Sequence, residues 1–407
     1  MRIRETPCLP DRIQCKKAKN FSFFSFQDWR NRLNYAKIQC GVLYMPFLED
    51  EIMSRLEKML SLAGVGPNEG VLIHKPSNMF YLSGYTGEGL LAVGQGFQAI
   101  VTDFRYTEQA ERQAPGWQVL MVEKGVSHAM LAARLFAQHD VKCVRYEDDE
   151  VTVRSFERLK NDIPGVEFLP LDSAPEKARR IKDEKELKCI GEACDISCRA
   201  FEKLLPQIKP GMTEKQLQLI LDYTMLELGG DSLAFNTIVA SGVNGSLPHA
   251  IPSDKKVEMG DMITFDFGAK KGGYCADMTR TVALGQPSAE MKKIYDTVKF
   301  AQETCEQALA PGKVCRDIDS MARKIIDDAG YAGRFGHGLG HSVGIDIHED
   351  PRLSQLCDDL LEPGVTITVE PGIYVPGLGG VRIEDTCVIT QDGWHSFVYA
   401  QKALLIL

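Results

Sequence analysis

Two segments of this chain each set a pair of acids face to face across a tight turn, and few folds tolerate that twice. In ITFDFGAKKGGYCADMTRTVAL (263–284), counting outward from a turn centred on Lys271-Gly272 brings Asp266 opposite Asp277. In VTITVEPGIYVPGLGGVRIEDTCVI (365–389), Glu370 and Glu384 stand seven residues either side of Gly377. Opposed Cβ atoms of an antiparallel pair lie about 4.5–5.5 Å apart, and like charges there are destabilising. Ile263, Phe265 and Phe267 make the first strand apolar, so its carboxylates need a cation or a shared proton. Pro371 and the neighbouring glycines make room for a bulge in the second hairpin.

Between the hairpins lies FGHGLGHSVGIDIHEDP, with three of the chain's eight histidines: His337, His341 and His348. His249, in SLPHA, precedes the first hairpin. Four carboxylates with one or more imidazoles form a hard, oxygen-rich donor set suited to Mn(II), Co(II), Fe(II) or Zn(II), preferably as two bridged ions. A closed structural zinc site would use thiolates more often. Two ions about 3.5–4 Å apart can lower the pKa of a water and polarise a carbonyl, which is the chemistry of hydrolysis. Singly, each of these acids would read as a strand-end or turn carboxylate. Two opposed pairs beside a histidine cluster are hard to obtain by chance.

The rest of the chain frames this cluster. Residues 45–172 alternate between helical and strand patterns, with a helix over 50–62 and strands at 70–74, 88–93, 96–102, 118–122 and 141–146. That predicts a small α/β domain. Its His74, His128 and His139 have no acidic or metal-spaced partners. Residues 173–182, within DSAPEKARRIK, read as a polar linker, and residues 183–407 as a second domain. There PGMTEKQLQLILDYTMLELGG, with Thr213 and Gln216 as a capping box, is echoed about a hundred residues later by PGKVCRDIDSMARKIIDDAG. The echo predicts two related α+β halves facing each other.

A net charge of -9 argues against a nucleic-acid partner, and no apolar run is long enough for a membrane span. Twelve cysteines without a CxxC read as reduced thiols of a cytoplasmic protein. Residues 1–44 carry nine Lys/Arg against three acids and no apolar signal-peptide core. They read as a disordered extension or as sequence upstream of a start at Met45, with a membrane-contacting arm as the alternative.

The set DFG…CADMTRT, GHGLGHSVGIDIHE, EPGIY and GGVRIED resembles the M24 metallopeptidases of the pita-bread fold, in particular their Xaa-Pro branch of aminopeptidase P and prolidase. The resemblance covers residues 45–407, loosely so in the N-terminal part, and finds no match in 1–44. It implies an α+β protein: a C-terminal pita-bread domain of two pseudo-repeated halves, preceded by a smaller creatinase-type α/β domain. It further implies two divalent metal ions, Mn(II) foremost, ligated by Asp266, Asp277, His341, Glu370 and Glu384, with Asp277 and Glu384 bridging. Glu370 would also relay protons from the attacking water. His249 and His348 match substrate-contacting histidines that polarise the scissile carbonyl. His337 matches a position beside the site, and Arg382, two residues before Glu384, would neutralise site carboxylates. Arg352 resembles the prolidase arginine that binds a dipeptide's C-terminal carboxylate, although similar loops occur in aminopeptidase P-like proteins. The expected partners are a proline-containing peptide or dipeptide and a second copy of the chain. A methionine aminopeptidase-like enzyme and a non-catalytic binding protein on the same fold remain open. The first usually lacks the N-terminal domain, and the second loses ligands, of which none is lost here.

Overall fold

A computed structural model of the chain describes residues 49–407; the expectation for residues 1–44 lies outside the described residues. Helix α1 (Glu49–Leu62) leads into β1 (Glu69–Ile73), α2 (Pro76–Ser83), β2 (Leu90–Gly94), β3 (Phe97–Thr102), α3 (Thr107–Gln113), β4 (Gln118–Met121), α4 (His128–Gln138), β5 (Cys143–Tyr146), α5 (Val153–Asp162) and β6 (Glu167–Pro170). The strands form one sheet in the order β4-β3-β2-β1-β5-β6. The central pairs β1–β2 and β2–β3 are antiparallel and the outer pairs parallel. All five residues of β2 are buried, as expected for a strand covered on both faces, where apolar residues run on without alternating.

The segment expected to be a polar linker is instead partly helical. Helix α6 (Ala174–Arg179) buries Ala174, Pro175, Ala178 and Arg179. Ala174 and Ala178, one turn apart, join a hydrophobic core that runs from α1 into the second domain. Arg179 is buried because its acidic partners, Asp346 and Glu349, arrive from the far end of the chain. Such partners are invisible to a local reading.

The second domain begins with α7 (Glu184–Leu204), capped by Asp183 and Glu186, and α8 (Glu214–Glu227), capped by the expected Thr213–Gln216 box. Then come β7 (Ser232–Leu233), β8 (Ile238–Ser241), β9 (Met262–Phe267), β10 (Ala269–Lys271), β11 (Tyr274–Cys275) and β12 (Met278–Ala283). The second half has α9 (Ala289–Gln307), α10 (Cys315–Ile326), β13 (Gly340–Ser342), β14 (Glu349–Leu353), β15 (Thr366–Val369), β16 (Gly372–Val375), β17 (Gly379–Arg382), β18 (Asp385–Ile389) and β19 (Trp394–Ser396). The two halves repeat each other down to single bonds. Gly211 N–H donates to Val257 O at 2.8 Å and Gly312 N–H to Leu361 O at 2.8 Å. Thr213 bridges Lys256 as Val314 bridges Leu360. The halves meet where Thr279 of β12 bridges Glu384.

The second hairpin keeps the expected register. Both β16–β17 and β15–β18 pair symmetrically about Gly377, so Glu370 and Glu384 face each other at the break between the two ladders. The first hairpin differs from expectation. Its turn is Gly272-Gly273, with φ of 57° and 83°, the pair of positive φ values that a two-residue hairpin turn favours. Lys271 therefore pairs with Tyr274, and Asp266 lies opposite Thr279 rather than Asp277. Because a strand's side chains alternate with period two, this shift of two residues leaves Asp277 on the same face as Asp266.

Candidate active site

One cavity of about 420 Å³ is lined by all ten side chains singled out above: His249, Asp266, Asp277, His337, His341, His348, Arg352, Glu370, Arg382 and Glu384. Its base is built by strands meeting end on. Asp266 comes from β9, Asp277 from the residue before β12, His341 from β13, and Glu370 and Glu384 from the break in the second hairpin. Strand β13 lies hard against β15: a Cβ on Gly340 would fall 1.9 Å from Thr368 O, so only glycine permits the approach. That contact sets His341, whose backbone N–H donates to Thr368 Oγ1 at 3.0 Å.

Burial holds the His341 imidazole neutral, down to about 3. Its Nδ1 lies 3.1 Å from Ser342 O. A neutral ring that donates there turns the Nε2 lone pair inward, 3.5 Å from Asp277 and 3.4 Å from Glu370. A lone pair facing carboxylate oxygens is repulsive unless a positive species lies between them. The carboxyls report the same crowding. Burial, then the charges of Glu384, Asp266 and Glu370, push Asp277 well above its ordinary range. Burial, then Glu370 and Asp266, do the same to Glu384. Glu370 is raised to about 8 by burial and the charge of Asp266, against the pull of Arg382.

The donor set fits divalent cations. Donor atoms of Asp277, His341 and Glu384 lie within 4.8 Å of one another. Asp266 Oδ1 and Glu384 Oε1 are buried with no hydrogen-bond partner among the described residues. Buried polar oxygens are ordinarily satisfied, and a cation would satisfy both. The hard oxygen donors and one imidazole match the preferences of such ions.

A second layer fixes the acids. Arg382 donates to Asp266 Oδ2 at 2.6 Å, to Tyr374 Oη at 2.9 Å and to Thr279 Oγ1 at 3.1 Å. The Thr279 hydroxyl donates to Glu384 Oε2 at 2.7 Å. His337, held neutral by burial at about 4, has Nδ1 2.8 Å from Gly338 O and Nε2 2.8 Å from Tyr374 Oη. The hydroxyl of Tyr374 thus donates to a ring that cannot donate back. Tyr374 and Thr279 escaped the sequence reading. The signal for Tyr374 was parity, since it shares its strand face with Glu370 and lies diagonally across the hairpin from Arg382.

The rim differs in character. His249 and His348 are exposed, and the His348 ring meets His341 edge-on at 4.5 Å. Burial and the nearby Arg352 lower the basicity of His348. Arg352 pairs across the strands with His341; its side chain is 56 % exposed, with Asp350 at 3.7 Å. Phe235, Ile238 and Ile347 give the cavity an apolar wall. No helix among the described residues is long and apolar enough to cross a membrane.

Comparison with known proteins adds to this geometry. The family description "Metallopeptidase family M24" matches residues 188–391, and "Creatinase/Prolidase N-terminal domain" matches residues 55–181. An uncharacterized peptidase of Bacillus subtilis, YqhT, is 41% identical over 354 residues, covering 87% of this chain and 100% of the relative. The solved structure of an Xaa-Pro dipeptidase from Bacillus anthracis superposes with a TM-score of 0.84 at 38% identity, covering 88% of this chain and 100% of that one. An X-Pro aminopeptidase from Thermotoga maritima gives 0.79 at 35% identity, over 86% and 99%.

Proposed function

The chain belongs to metallopeptidase family M24, and from that premise we propose that its cavity hydrolyses the bond between an N-terminal residue and proline, with Xaa-Pro dipeptides as substrates. The observation that carries this reading is the cavity base: four carboxylates and a neutral imidazole converge there, with two buried oxygens left unpartnered. Relatives named as an Xaa-Pro dipeptidase and an X-Pro aminopeptidase support the bond class.

In this reading Asp266, Asp277, His341, Glu370 and Glu384 would hold two divalent cations, manganese(II) foremost. Bound there, the cations supply Lewis acidity and a water of lowered pKa. Glu370, reached by the Thr368 hydroxyl at 3.4 Å, would take the proton from the attacking water. It then delivers the proton to the proline nitrogen, a poor leaving group until protonated. His249 and His348 donate to the carbonyl oxygen as charge develops on it. Arg382 and Tyr374 hold Asp266 and His337 in place and touch no substrate. The apolar wall suits the pyrrolidine ring. Arg352 at the rim donates its guanidinium fork to the substrate's C-terminal carboxylate, which selects for dipeptides. A cavity of about 420 Å³ sits toward the small end of ligand pockets, roughly 300–1,000 Å³, and supports a short substrate.

A cytoplasmic homodimer completes the reading. The described cysteines without a disulfide, such as the buried Cys194 and Cys198, support a reducing compartment, and sedimentation tests the dimer. The activity is tested with chelator-stripped protein reloaded with Mn(II), comparing Ala-Pro with Ala-Pro-Ala. Metal-dependent cleavage of the dipeptide alone is expected. Cleavage of the tripeptide would make the protein an aminopeptidase. Cleavage of neither, with any divalent cation, would leave a binding protein.

A further inference from the structure

Behind the cavity wall, a buried ion cluster ties the connecting helix to the loop that ends in His348. The side chains of Arg179, Lys182 and Glu349 are 2 %, 1 % and 8 % exposed. Arg179 Nη2 pairs with Glu349 and reaches Asp346 at 2.8 Å. Lys182 Nζ lies 3.0 Å from Glu349 Oε2 and donates to Ser342 Oγ at 2.9 Å. The Glu349 carboxylate is folded into its own loop. It accepts the Asp346 N–H at 3.1 Å, and a Cβ on Gly344 would fall 2.5 Å from both its oxygens. Lys182 therefore touches the residue after His341, and both cations hold the residue after His348. On its other side Arg179 donates to Ser77 Oγ at 3.0 Å and Asn78 Oδ1 at 2.7 Å, both on α2. Asn78 in turn donates to Glu147 at the end of the N-terminal sheet, at 2.7 Å.

Stability alone does not call for such a cluster, because apolar groups of the same volume often serve as well as a buried ion pair. What charged, hydrogen-bonded groups add is a fixed geometry. We propose that Arg179 and Lys182 are positioning residues: through Glu349 they clamp the loop over residues 342–349 and hold the His348 ring at the cavity rim. The N-terminal domain, through Ser77 and Asn78, thereby acts on the reaction without touching substrate. This inference rests on the role given to His348 above.

The test is a double-mutant cycle in metal-loaded protein, Arg179→Gln with and without His348→Ala, read as kcat and KM on Ala-Pro. Misplacing a reacting group by about 1 Å can cost about a hundredfold in rate. R179Q alone should therefore lower kcat by about ten- to a hundredfold while moving KM by less than about threefold. In the H348A background it should change kcat by less than about twofold, because the group it positions is gone. An equal fold-loss in both backgrounds, or no loss in either, overturns the proposal. If R179Q does not fold, Arg179→Lys decides on the same criterion; it keeps the charge but loses the fork that spans Asn78 and Asp346. Hydrogen exchange over residues 342–353 gives a readout independent of turnover. Faster exchange there in the variant, with the remaining segments unchanged, supports the clamp, and unchanged exchange overturns it. If the unaltered chain cleaves no Xaa-Pro substrate, the assigned activity fails while hydrogen exchange still decides the clamp.

Discussion

Removing the cations should make the protein less stable as pH rises from 6.5 to 8. In the metal-free site, burial and the charge of Asp266 raise the Glu370 carboxyl from its ordinary 4.5 to about 8. The folded state then keeps a proton that the unfolded chain has already lost, so stability falls as pH rises through that interval. Three histidines shielded by burial oppose this at lower pH. His341, His337 and His74 are held down to about 3, about 4 and about 4 from an ordinary 6.5. Below 6.5 the unfolded chain binds protons that the folded imidazoles refuse, and stability there rises with pH. At 6.5 that contribution is still half titrated, and it runs out by about pH 7.5, above which the Glu370 trend stands uncovered. From 6.5 to 8 Glu370 costs at most about 2 kcal/mol, at about 1.4 kcal/mol per unit, of which the histidines return about half, leaving about 1 kcal/mol. Asp277 and Glu384, pushed up by burial and by neighbouring carboxylates, add to it with the same sign. Unfolding entropy of about 2 cal/mol/K per residue amounts to about 0.8 kcal/mol/K over 407 residues, so Tm should fall by about 1 °C from Glu370 alone and further with Asp277 and Glu384. Calorimetry of chelator-treated protein at four pH values across the interval reads this directly. Protein reloaded with Mn(II) should show a much weaker slope, because cations replace the protons of the site and Glu306, raised to about 7 outside it, still gives one up; metal-free Glu370→Gln should also show a shallower one. A metal-free Tm that is flat or rising from 6.5 to 8, or a slope unchanged in E370Q, would refute the reasoning.

Other perturbations have equally definite outcomes. Asp277→Asn removes a buried anion that neighbours both Glu384 and His341, and elemental analysis should find fewer than two ions per chain; two retained ions would exclude a shared ligand. Arg352→Ala should raise KM for Ala-Pro by about tenfold, the weak end of a charged hydrogen bond because the side chain is half in solvent, and leave Ala-Pro-Ala within about twofold; equal effects would remove its carboxylate role. Gly340→Ala drives a methyl into Thr368 O and should cost about 1–3 kcal/mol together with metal affinity, measured by thermal melting and cation titration; an unaltered melt would show that β13 can move aside.

How much of this was legible in the sequence depended on the range over which each signal acts. The register of the second hairpin could be counted because a single turn glycine, Gly377, marks its centre and both ladders obey it. Counting from Lys271-Gly272 places the first hairpin two residues out of register, because the adjacent Gly272-Gly273 alone accommodates two positive φ angles. The error was harmless to the site, since a shift of two preserves the strand face. The histidines and acids of the cavity were recognisable by kind and spacing. Tyr374 and Thr279 were not, for they act through hydrogen bonds to Arg382 and Glu384 that exist only once two strands lie side by side. Arg179 was the least legible. Nothing in DSAPEKARRIK reveals that its charge is matched by Glu349 some 170 positions away.

The donors at the cavity base are divided between two halves of one chain: Asp266 and Asp277 from the first, His341, Glu370 and Glu384 from the second. The Arg382–Asp266 ion pair and the Thr279–Glu384 hydrogen bond already cross that seam. A cation held by Asp277 and Glu384 together would be a further staple at the same seam, a crosslink as well as a reagent. Occupancy of the site is then a mechanical property of the domain. Emptying it would remove that crosslink and leave the seam at this point to one ion pair and one hydroxyl hydrogen bond.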